Sequence, residues 1–188
     1  MKIDIFTTEK KYNIIYADPP WRYNDKRGHT PKWGAATYHT MPLEDIKQLP
    51  IKAISERDCA LFFWATMPFL DKAFEVIKAW GFKYKTCGFC WVKTNSKKGT
   101  IYSGMGQWTN GNAELCLLAT KGHPHRVAKN VKQIVLSPRG RHSAKPPEVR
   151  DRIKILMGGV RARSNSLQES RSKAGTVGVM RCNVCQNA

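Results

Sequence analysis

The sequence predicts an α/β domain in which a mostly parallel sheet carries helices on both faces. Apolar runs of strand length, such as 59–65, alternate with segments such as 69–80 whose apolar residues recur at helical spacing. Strands that are apolar throughout are typical of sheets that are covered on both faces. Short joins between a strand, a helix and the next strand favour a parallel arrangement. The 188 residues have the length of one domain.

The first predicted strand, 12–16, ends at Ala17-Asp18-Pro19-Pro20-Trp21. Two successive prolines cannot continue a strand, so the chain must turn there. Because ligands of open α/β sheets bind at the carboxyl ends of the strands, Asp18 is expected at a binding site. Asp18 and the Pro19 carbonyl can accept hydrogen bonds from an amino group on a flat ring, and the Trp21 indole can stack on that ring. The alternative is a proline turn beside a buried tryptophan.

The remaining elements follow in order. A helix is predicted from Pro42, because two acidic residues suit the positive end of its dipole and its apolar residues share one face. Pro68 opens a second helix, which Gly81 stops. A last helix spans 146–157. The other predicted strands are 59–65, 82–92, 115–119 and 133–136.

Two polar loops follow strands and contain many cations. The loop 22–42 is basic and aperiodic, and the loop 93–109 contains Lys97, Lys98 and Trp108. Cations and an aromatic ring beside Asp18 favour contacts with nucleic acid. The alternatives are solvated surface loops and, for Trp108, a packing anchor.

The formal net charge of +18, from 32 basic and 14 acidic residues, predicts a polyanionic partner. A basic surface without a partner is the alternative, and the charge does not distinguish DNA from RNA. No apolar run approaches the roughly 18 residues that a membrane span needs, and the N-terminus has no signal-peptide pattern. A cytoplasmic protein is therefore expected.

The six cysteines include two pairs with C-x-x-C spacing, Cys87 with Cys90 and Cys182 with Cys185. This spacing occurs in zinc sites. The first pair lies in an alternating strand, where the two side chains need not face each other, and the second pair lies in an atypical tail. We therefore expect no bound metal, with a zinc-ribbon protein as an alternative.

Asp18-Pro19-Pro20-Trp21 after an apolar strand resembles the catalytic motif of amino-group methyltransferases that use S-adenosylmethionine. Further segments follow in the order found in the MT-A70 family of adenine-N6 methyltransferases, and the resemblance covers roughly 12–163. This family includes phage and bacterial DNA enzymes and eukaryotic mRNA enzymes. The matching segments are Leu61-Phe62-Phe63-Trp64, Trp91-Val92-Lys93-Thr94-Asn95, Gly106-Gln107-Trp108, Asn112-Ala113-Glu114, Lys121-Gly122 and His142-Ser143-Ala144-Lys145-Pro146-Pro147-Glu148.

The resemblance implies a Rossmann-like, S-adenosylmethionine-dependent methyltransferase that modifies N6 of adenine in nucleic acid, with DNA favoured over RNA, in a bacterial or phage-infected cell. The implied catalytic residues are Asp18, Pro19, Pro20 and Trp21. The implied cofactor residues are Asp18, His142, Ser143 and Lys145, and Lys145 is expected to meet the carboxylate of S-adenosylmethionine. The residues expected at the substrate are Tyr23, Lys26, Arg27, Tyr38, Lys93, Asn95, Trp108, Asn112 and Glu114. The alternatives are a solvated strand end at 112–114 and a basic loop around 145.

The C-terminal tail departs from this family pattern. Residues 1–163 form the predicted methyltransferase domain, and the polar, aperiodic segment 164–188 is predicted to be disordered. The family instead continues with a strand of the type Ile-Glu-Leu-Phe-Ala-Arg and with Gly-Trp-Asp-x-Trp-Gly-Asn-Glu, which hold the ribose and adenine of the cofactor. Synonymous codons for 163–171 and 174–183, read two nucleotides later, encode both motifs and then a stop codon. We therefore predict a single-nucleotide deletion near codon 163, and the alternative function is a catalytically impaired nucleic-acid-binding remnant.

Overall fold

A computed structural model of the chain describes residues 5–22, 40–104, 108–140, 144–158 and the backbone of 180–181. The strands are β1 (Tyr12–Ala17), β2 (Ser55–Ala65), β3 (Lys83–Thr94), β4 (Ala113–Lys121), β5 (Ile134–Pro138) and β6 (Met180–Arg181). The helices are α1 (Leu43–Gln48), α2 (Ile51–Ile54), α3 (Leu70–Ala79) and α4 (Pro147–Met157), and a 3-10 turn at Met67–Phe69 precedes α3.

The strands form one sheet in the order β5-β3-β4-β2-β1-β6. β1 pairs in parallel with β2 and β6, and β3 pairs in parallel with β5, whereas β4 is antiparallel to both of its neighbours. The predicted α/β, Rossmann-like and mostly parallel sheet is confirmed, and among the described strands only β4 is reversed. An antiparallel neighbour needs no crossover helix. We call the connection 95–112 between β3 and β4 the hairpin segment; its residues 105–107 lie outside the described part of the chain.

Alternate residues of the central strands pack against helices on opposite faces of the sheet. On one face, Phe63 of β2 packs with Ile46 of α1 and with Trp80, which follows α3. On the other face, Phe62 packs in a cluster with Val149 of α4. The Nε1 of Trp80 donates a hydrogen bond to the Ile46 carbonyl at 2.8 Å and so ties α3 to α1. Helices therefore cover both faces, as predicted.

Several boundaries differ from the prediction, β4 and β5 extend beyond the predicted 115–119 and 133–136, and the short helix α2 was not predicted. Two of the differences have a clear physical reason. β2 begins at Ser55 rather than at 59, because three exposed charged residues at its start hide the strand pattern. β3 runs to Thr94, two residues beyond the apolar run, since its last residues pair with β5.

The outer edge of β1 is paired in parallel with the tail, through Ile15 with Met180 and Tyr16 with Arg181. Residues 159–179 and 182–188 lie outside the described part of the chain, so the boundary at 163 and the disordered tail stay predictions. None of the helices in the described ranges is long and apolar enough to cross a membrane.

Candidate active site

Four charged side chains meet at one edge of the sheet. Asp18 follows β1, Lys93 lies near the end of β3, and Lys145 lies just before α4. The reversal of β4 brings Glu114, near its start, to the same edge, where it pairs with Trp91 of β3. We call this the motif edge, and we call Asp18, Lys93, Glu114 and Lys145 the charge cluster.

The turn at the motif is fixed by its own backbone. The Trp21 N–H donates to the Pro19 carbonyl at 3.0 Å, and the Met41 N–H donates to the Pro20 carbonyl at 2.8 Å. A carbonyl oxygen has two lone pairs, so Pro19 keeps one for a further donor. The two rings also restrict the backbone, so the Pro19 carbonyl is held in one direction.

Trp21 is a core residue in this structure. Its side chain is 6% exposed, and its ring stacks on Phe69 with centroids 5.5 Å apart and lies edge-on to Phe63. An indole packed in this way has no face open to a base. The stacking role predicted for Trp21 does not fit this conformation, because burial against the two phenylalanines is the more favourable use of an indole beside an apolar strand. The alternative prediction, a proline turn beside a buried tryptophan, describes the geometry.

The charge cluster consists of three ion pairs in series. Lys145 Nζ lies 3.0 Å from Asp18 Oδ2 and 3.3 Å from Glu114 Oε2. Lys93 Nζ lies 2.7 Å from Glu114 Oε1. The Lys145 side chain is 10% exposed, and its ammonium also lies 5.5 Å from the centroid of the Trp64 ring. A lysine buried to this extent is stable as a cation only because carboxylates surround it.

The ion pairs hold both central groups in their charged forms. Burial alone would raise the pKa of the Glu114 carboxyl, but Lys145 and Lys93 outweigh it and hold that pKa below its ordinary value. Burial alone would lower the pKa of the Lys145 ammonium, but Asp18 and Glu114 raise it above its ordinary value. Glu114 and Lys145 are therefore both charged around neutral pH.

One oxygen of the cluster keeps an unused acceptor. Glu114 Oε2 lies 3.3 Å from Lys145 Nζ, and apart from this contact the buried oxygen accepts no hydrogen bond from any described residue. A carboxylate oxygen has more than one acceptor site, so Oε2 can take a second donor. The motif edge therefore offers two carboxylates and one buried ammonium to a ligand that carries both charges.

The other predicted substrate residues divide into two groups. Asn95 uses its amide to donate to Thr100 Oγ1 at 3.0 Å, which closes the turn after β3. The Asn112 carbonyl accepts the Lys93 N–H at 2.8 Å, and Trp108 is 97% exposed on the hairpin segment. Asn112 therefore contacts Lys93 through the backbone, and none of the three side chains forms an ion pair with the charge cluster within the described residues. Six predicted site residues lie outside the described residues: Tyr23, Lys26, Arg27, Tyr38, His142 and Ser143.

The structure adds one contact that the sequence prediction missed. The Arg139 guanidinium lies 3.7 Å from the centroid of the Tyr102 ring, so it joins the loop after β5 to the hairpin segment. The basic run at 139–141 was the available signal, but its stacking partner could not be inferred from spacing. In the described ranges no group of three or more His, Cys, Asp or Glu residues is arranged to hold a metal ion. Cys87 and Cys90 are free thiols there, and burial raises the pKa of each.

Comparison with known proteins gives relatives of one family. The type II methyltransferase M.MunI from Mycoplasma sp is 33% identical over 162 residues, which cover 77% of this chain and 66% of M.MunI. The N(6)-adenosine-methyltransferase subunit METTL3 from Danio rerio is 29% identical over 153 residues, 80% of this chain and 24% of METTL3. The N6-adenosine-methyltransferase non-catalytic subunit MTB from Arabidopsis thaliana is 29% identical over 119 residues, 62% of this chain and 15% of MTB. This chain therefore spans about two thirds of M.MunI and a quarter or less of the other two.

A family model described as MT-A70 matches residues 12–168. The matched range begins at the first residue of β1 and contains the motif turn and all four residues of the charge cluster. It covers most of the chain. The chain belongs to the MT-A70 family.

Proposed function

We propose that this chain transfers a methyl group from S-adenosylmethionine to N6 of an adenine in nucleic acid, with DNA preferred to RNA. The observation that carries the proposal is the pairing of Asp18 with the buried Lys145 directly after β1. This places a motif carboxylate and a cation at the carboxyl end of a parallel strand, where ligands of such sheets bind. Membership of the MT-A70 family supports this assignment.

The charge cluster fits the amino-acid end of S-adenosylmethionine, which carries an ammonium and a carboxylate. Lys145 would hold the carboxylate, since its ammonium is buried between two acidic side chains. Asp18 and the unused Glu114 Oε2 would accept the ammonium. Because the amino-acid end of S-adenosylmethionine carries one positive and one negative charge, every buried charge of the cluster keeps an opposite partner when the cofactor binds. This limits the desolvation cost. His142 and Ser143 remain predicted neighbours of this group.

The motif turn would hold the target amine. When bound, the cofactor supplies a methyl group activated by a positive sulfur. Asp18 would accept one hydrogen bond from the exocyclic amine of adenine, and the second lone pair of the Pro19 carbonyl would accept another. These two acceptors orient the nitrogen and increase its electron density, so the rate enhancement comes from positioning and electrostatics.

An adenine must leave its base stack to reach this edge. Trp108 offers a fully exposed ring for a neighbouring unstacked base, and Lys97 and Lys98 on the same hairpin segment would meet phosphates. DNA is preferred in this proposal because M.MunI, a type II methyltransferase, has both the higher identity and the larger aligned share of its length. The expected location of the protein is the cytoplasm.

The second candidate function is a catalytically impaired nucleic-acid-binding remnant. The atypical segment 164–188 favours it, because the family motifs expected there hold the ribose and adenine of the cofactor. The relative MTB is named as a non-catalytic subunit, so the family fold is compatible with loss of activity. The predicted deletion near codon 163 would produce such a remnant from an active enzyme.

The test is transfer of labelled methyl from S-adenosylmethionine to adenine-containing DNA and RNA. The 188-residue chain is assayed beside a chain whose frame is restored after Arg163 and beside Asp18→Asn in both versions. We expect Asp18→Asn to lower transfer by at least about 100-fold, the effect of removing one preorganised polar group. Asp71→Asn, an exposed carboxylate on α3, is the matched control and should leave transfer unchanged.

Each outcome of this assay separates the two candidates. Transfer by both versions makes the altered tail dispensable. Transfer by the restored version alone identifies the present chain as the impaired remnant. Transfer that is insensitive to Asp18→Asn would refute the role given to the motif, and failure of both versions would refute adenine methylation.

A further inference from the structure

The end of the sheet opposite the motif edge contains two adjoining cavities. β2 and β3 begin there and β4 ends there, whereas Asp18 follows the opposite end of β1. Their volumes are about 410 and 510 Å³, and both are lined by His123. At about 3.3 Å per residue, the lining residues lie between roughly 17 Å from the charge cluster, from Asn13 to Asp18 along β1, and roughly 33 Å, from Lys83 to Lys93 along β3.

The charged side chains that line the two cavities are almost all positive. The walls contain four permanent cations and two imidazoles but a single carboxylate, Asp58. We call these six basic residues the distal basic surface: Arg57, Lys83, Lys85, Lys121, His123 and His125. Within the described part of the chain, Arg57, Lys83 and Lys85 form no ion pair. Their charges are therefore available to an outside anion.

The one carboxylate in the lining, Asp58, already accepts a hydrogen bond from the protein itself. The His123 N–H donates to Asp58 Oδ1 at 2.7 Å, and Gly122 adopts φ +62 so that the turn after β4 can approach β2. A Cβ at Gly122 would overlap the Asp58 carboxylate. Lys121 Nζ donates to the Ser55 carbonyl at 3.2 Å and to its Oγ at 2.9 Å, which fixes this cation beside the cavities. The concave shape is thus built by specific contacts rather than by loose surface side chains.

A buried acceptor in the same wall also lacks a partner. Asn13 lines the first cavity, and its buried Oδ1 accepts no hydrogen bond from a described residue. The same amide also carries two N–H donors, from which a phosphate oxygen can accept hydrogen bonds. None of the large exposed apolar side chains in the described ranges lines either cavity. The positively charged lining therefore suits a polyanion better than a protein, whose interface core is apolar.

We propose that the distal basic surface binds the sugar-phosphate backbone of a nucleic-acid segment away from the adenine at the motif edge. This rests on the proposed function only for its choice of nucleic acid as the polyanion. A duplex stem of about 4 base pairs is roughly 14 Å long at about 3.4 Å per base pair, so it reaches only one end of the sheet at a time. A long duplex meets both ends at once and is held more tightly.

The test is fluorescence anisotropy of a DNA hairpin with a stem of about 4 base pairs and of a duplex of about 60 base pairs, each titrated with the full chain over a range of salt concentrations and without cofactor. In the triple variant Arg57→Gln, Lys83→Gln, Lys85→Gln, the slope of log affinity against log salt for the long duplex should fall by about 2–3, since each lost phosphate contact is worth about 0.9. Affinity for the long duplex should fall at least about tenfold, and affinity for the short stem should fall less, because the motif edge remains available to it.

Two control variants are measured beside the triple variant. Lys83→Arg with Lys85→Arg retains the charges and should retain the slope, which separates lost charge from lost folding. Lys97→Gln with Lys98→Gln at the motif edge should weaken both duplexes alike. An unchanged slope for the long duplex in the triple variant would overturn the proposal, as would an equal loss for both lengths. Because no cofactor is present, failure of methyl transfer would leave this binding result intact.

Discussion

Replacement of Glu114 by glutamine tests the charge cluster most directly. The substitution keeps the shape but removes the negative charge that lies 2.7 Å from Lys93 and 3.3 Å from Lys145. At an effective dielectric constant of about 20, each pair attracts by about 5–6 kcal/mol before desolvation is subtracted. Removing one partner of a buried pair costs about 3–5 kcal/mol in general. Because Lys145 keeps Asp18 and Lys93 is 20% exposed, we expect a loss of about 2–3 kcal/mol in the free energy of unfolding.

The pH dependence of this loss identifies its cause. Since the folded-state pKa of Glu114 is lowered, its stabilisation is present above the ordinary glutamate pKa and is lost as the pH falls through the lowered value. The difference between the parent and Glu114→Gln should therefore be largest near neutral pH and shrink steadily in acid. The raised pKa of Lys145 acts at the alkaline end, where its contribution is lost as the pH rises through that value.

The assay is urea and thermal unfolding at about pH 7 and at about pH 3.5. At about pH 7, the expected loss in free energy of unfolding corresponds to a decrease of roughly 5–10 °C in Tm for a domain of this size. Glu75→Gln is the matched control, because its carboxylate lies at the same 2.7 Å from Lys47 but is 53% exposed. An exposed pair contributes little, so this variant should unfold with the parent. Equal losses in the two variants, or a Glu114→Gln deficit that persists in acid, would refute the argument.

Three further predictions concern single side chains. Lys145→Met in the frame-restored chain should lower affinity for S-adenosylmethionine at least about tenfold in calorimetry, and unchanged affinity would remove Lys145 from the cofactor site. Trp80→Phe should cost about 1–3 kcal/mol in urea unfolding, because it removes a buried hydrogen bond to the Ile46 carbonyl and leaves space around a smaller ring. The exposed Trp108→Phe should cost nothing measurable. Gly122→Ala should lower Tm more than Gly99→Ala. Both glycines have positive φ, but only at Gly122 would an added Cβ meet neighbouring atoms, those of β2. Equal effects on Tm would contradict this close approach.

The sequence was sufficient to predict most of the elements, although not α2 or β6, and the position of Asp18 directly after β1. The apolar run of β1, the turn forced by Pro19 and Pro20, and the helical spacing of α3 all arise from local chemistry, which is why they were predictable. The family resemblance then identified Lys145, far from Asp18 in the chain but 3.0 Å from it in space. No periodicity or spacing could have indicated that contact.

The missed features depend on tertiary arrangement. The reversal of β4 brings Glu114 next to Lys93. This contact depends on the register between β3 and β4, which the connection between the strands sets and which the sequence pattern does not indicate. Trp21 was predicted to stack on a base, but in the structure Phe69 covers one face of its indole. Which of the two partners contacts that face depends on tertiary packing. Arg139 was not singled out because its partner, Tyr102, lies on a different loop.

The parallel pairing of β1 with β6 also sets an order of events during synthesis. The edge of β1 at Ile15 and Tyr16 can pair only after residues 180–181 have been made. At about 5–20 residues per second, the nascent chain carries this apolar strand with an open side for roughly 8–30 s. An unpaired strand edge is a template for association with other chains. Chaperone binding during translation should therefore determine how much of the protein escapes aggregation.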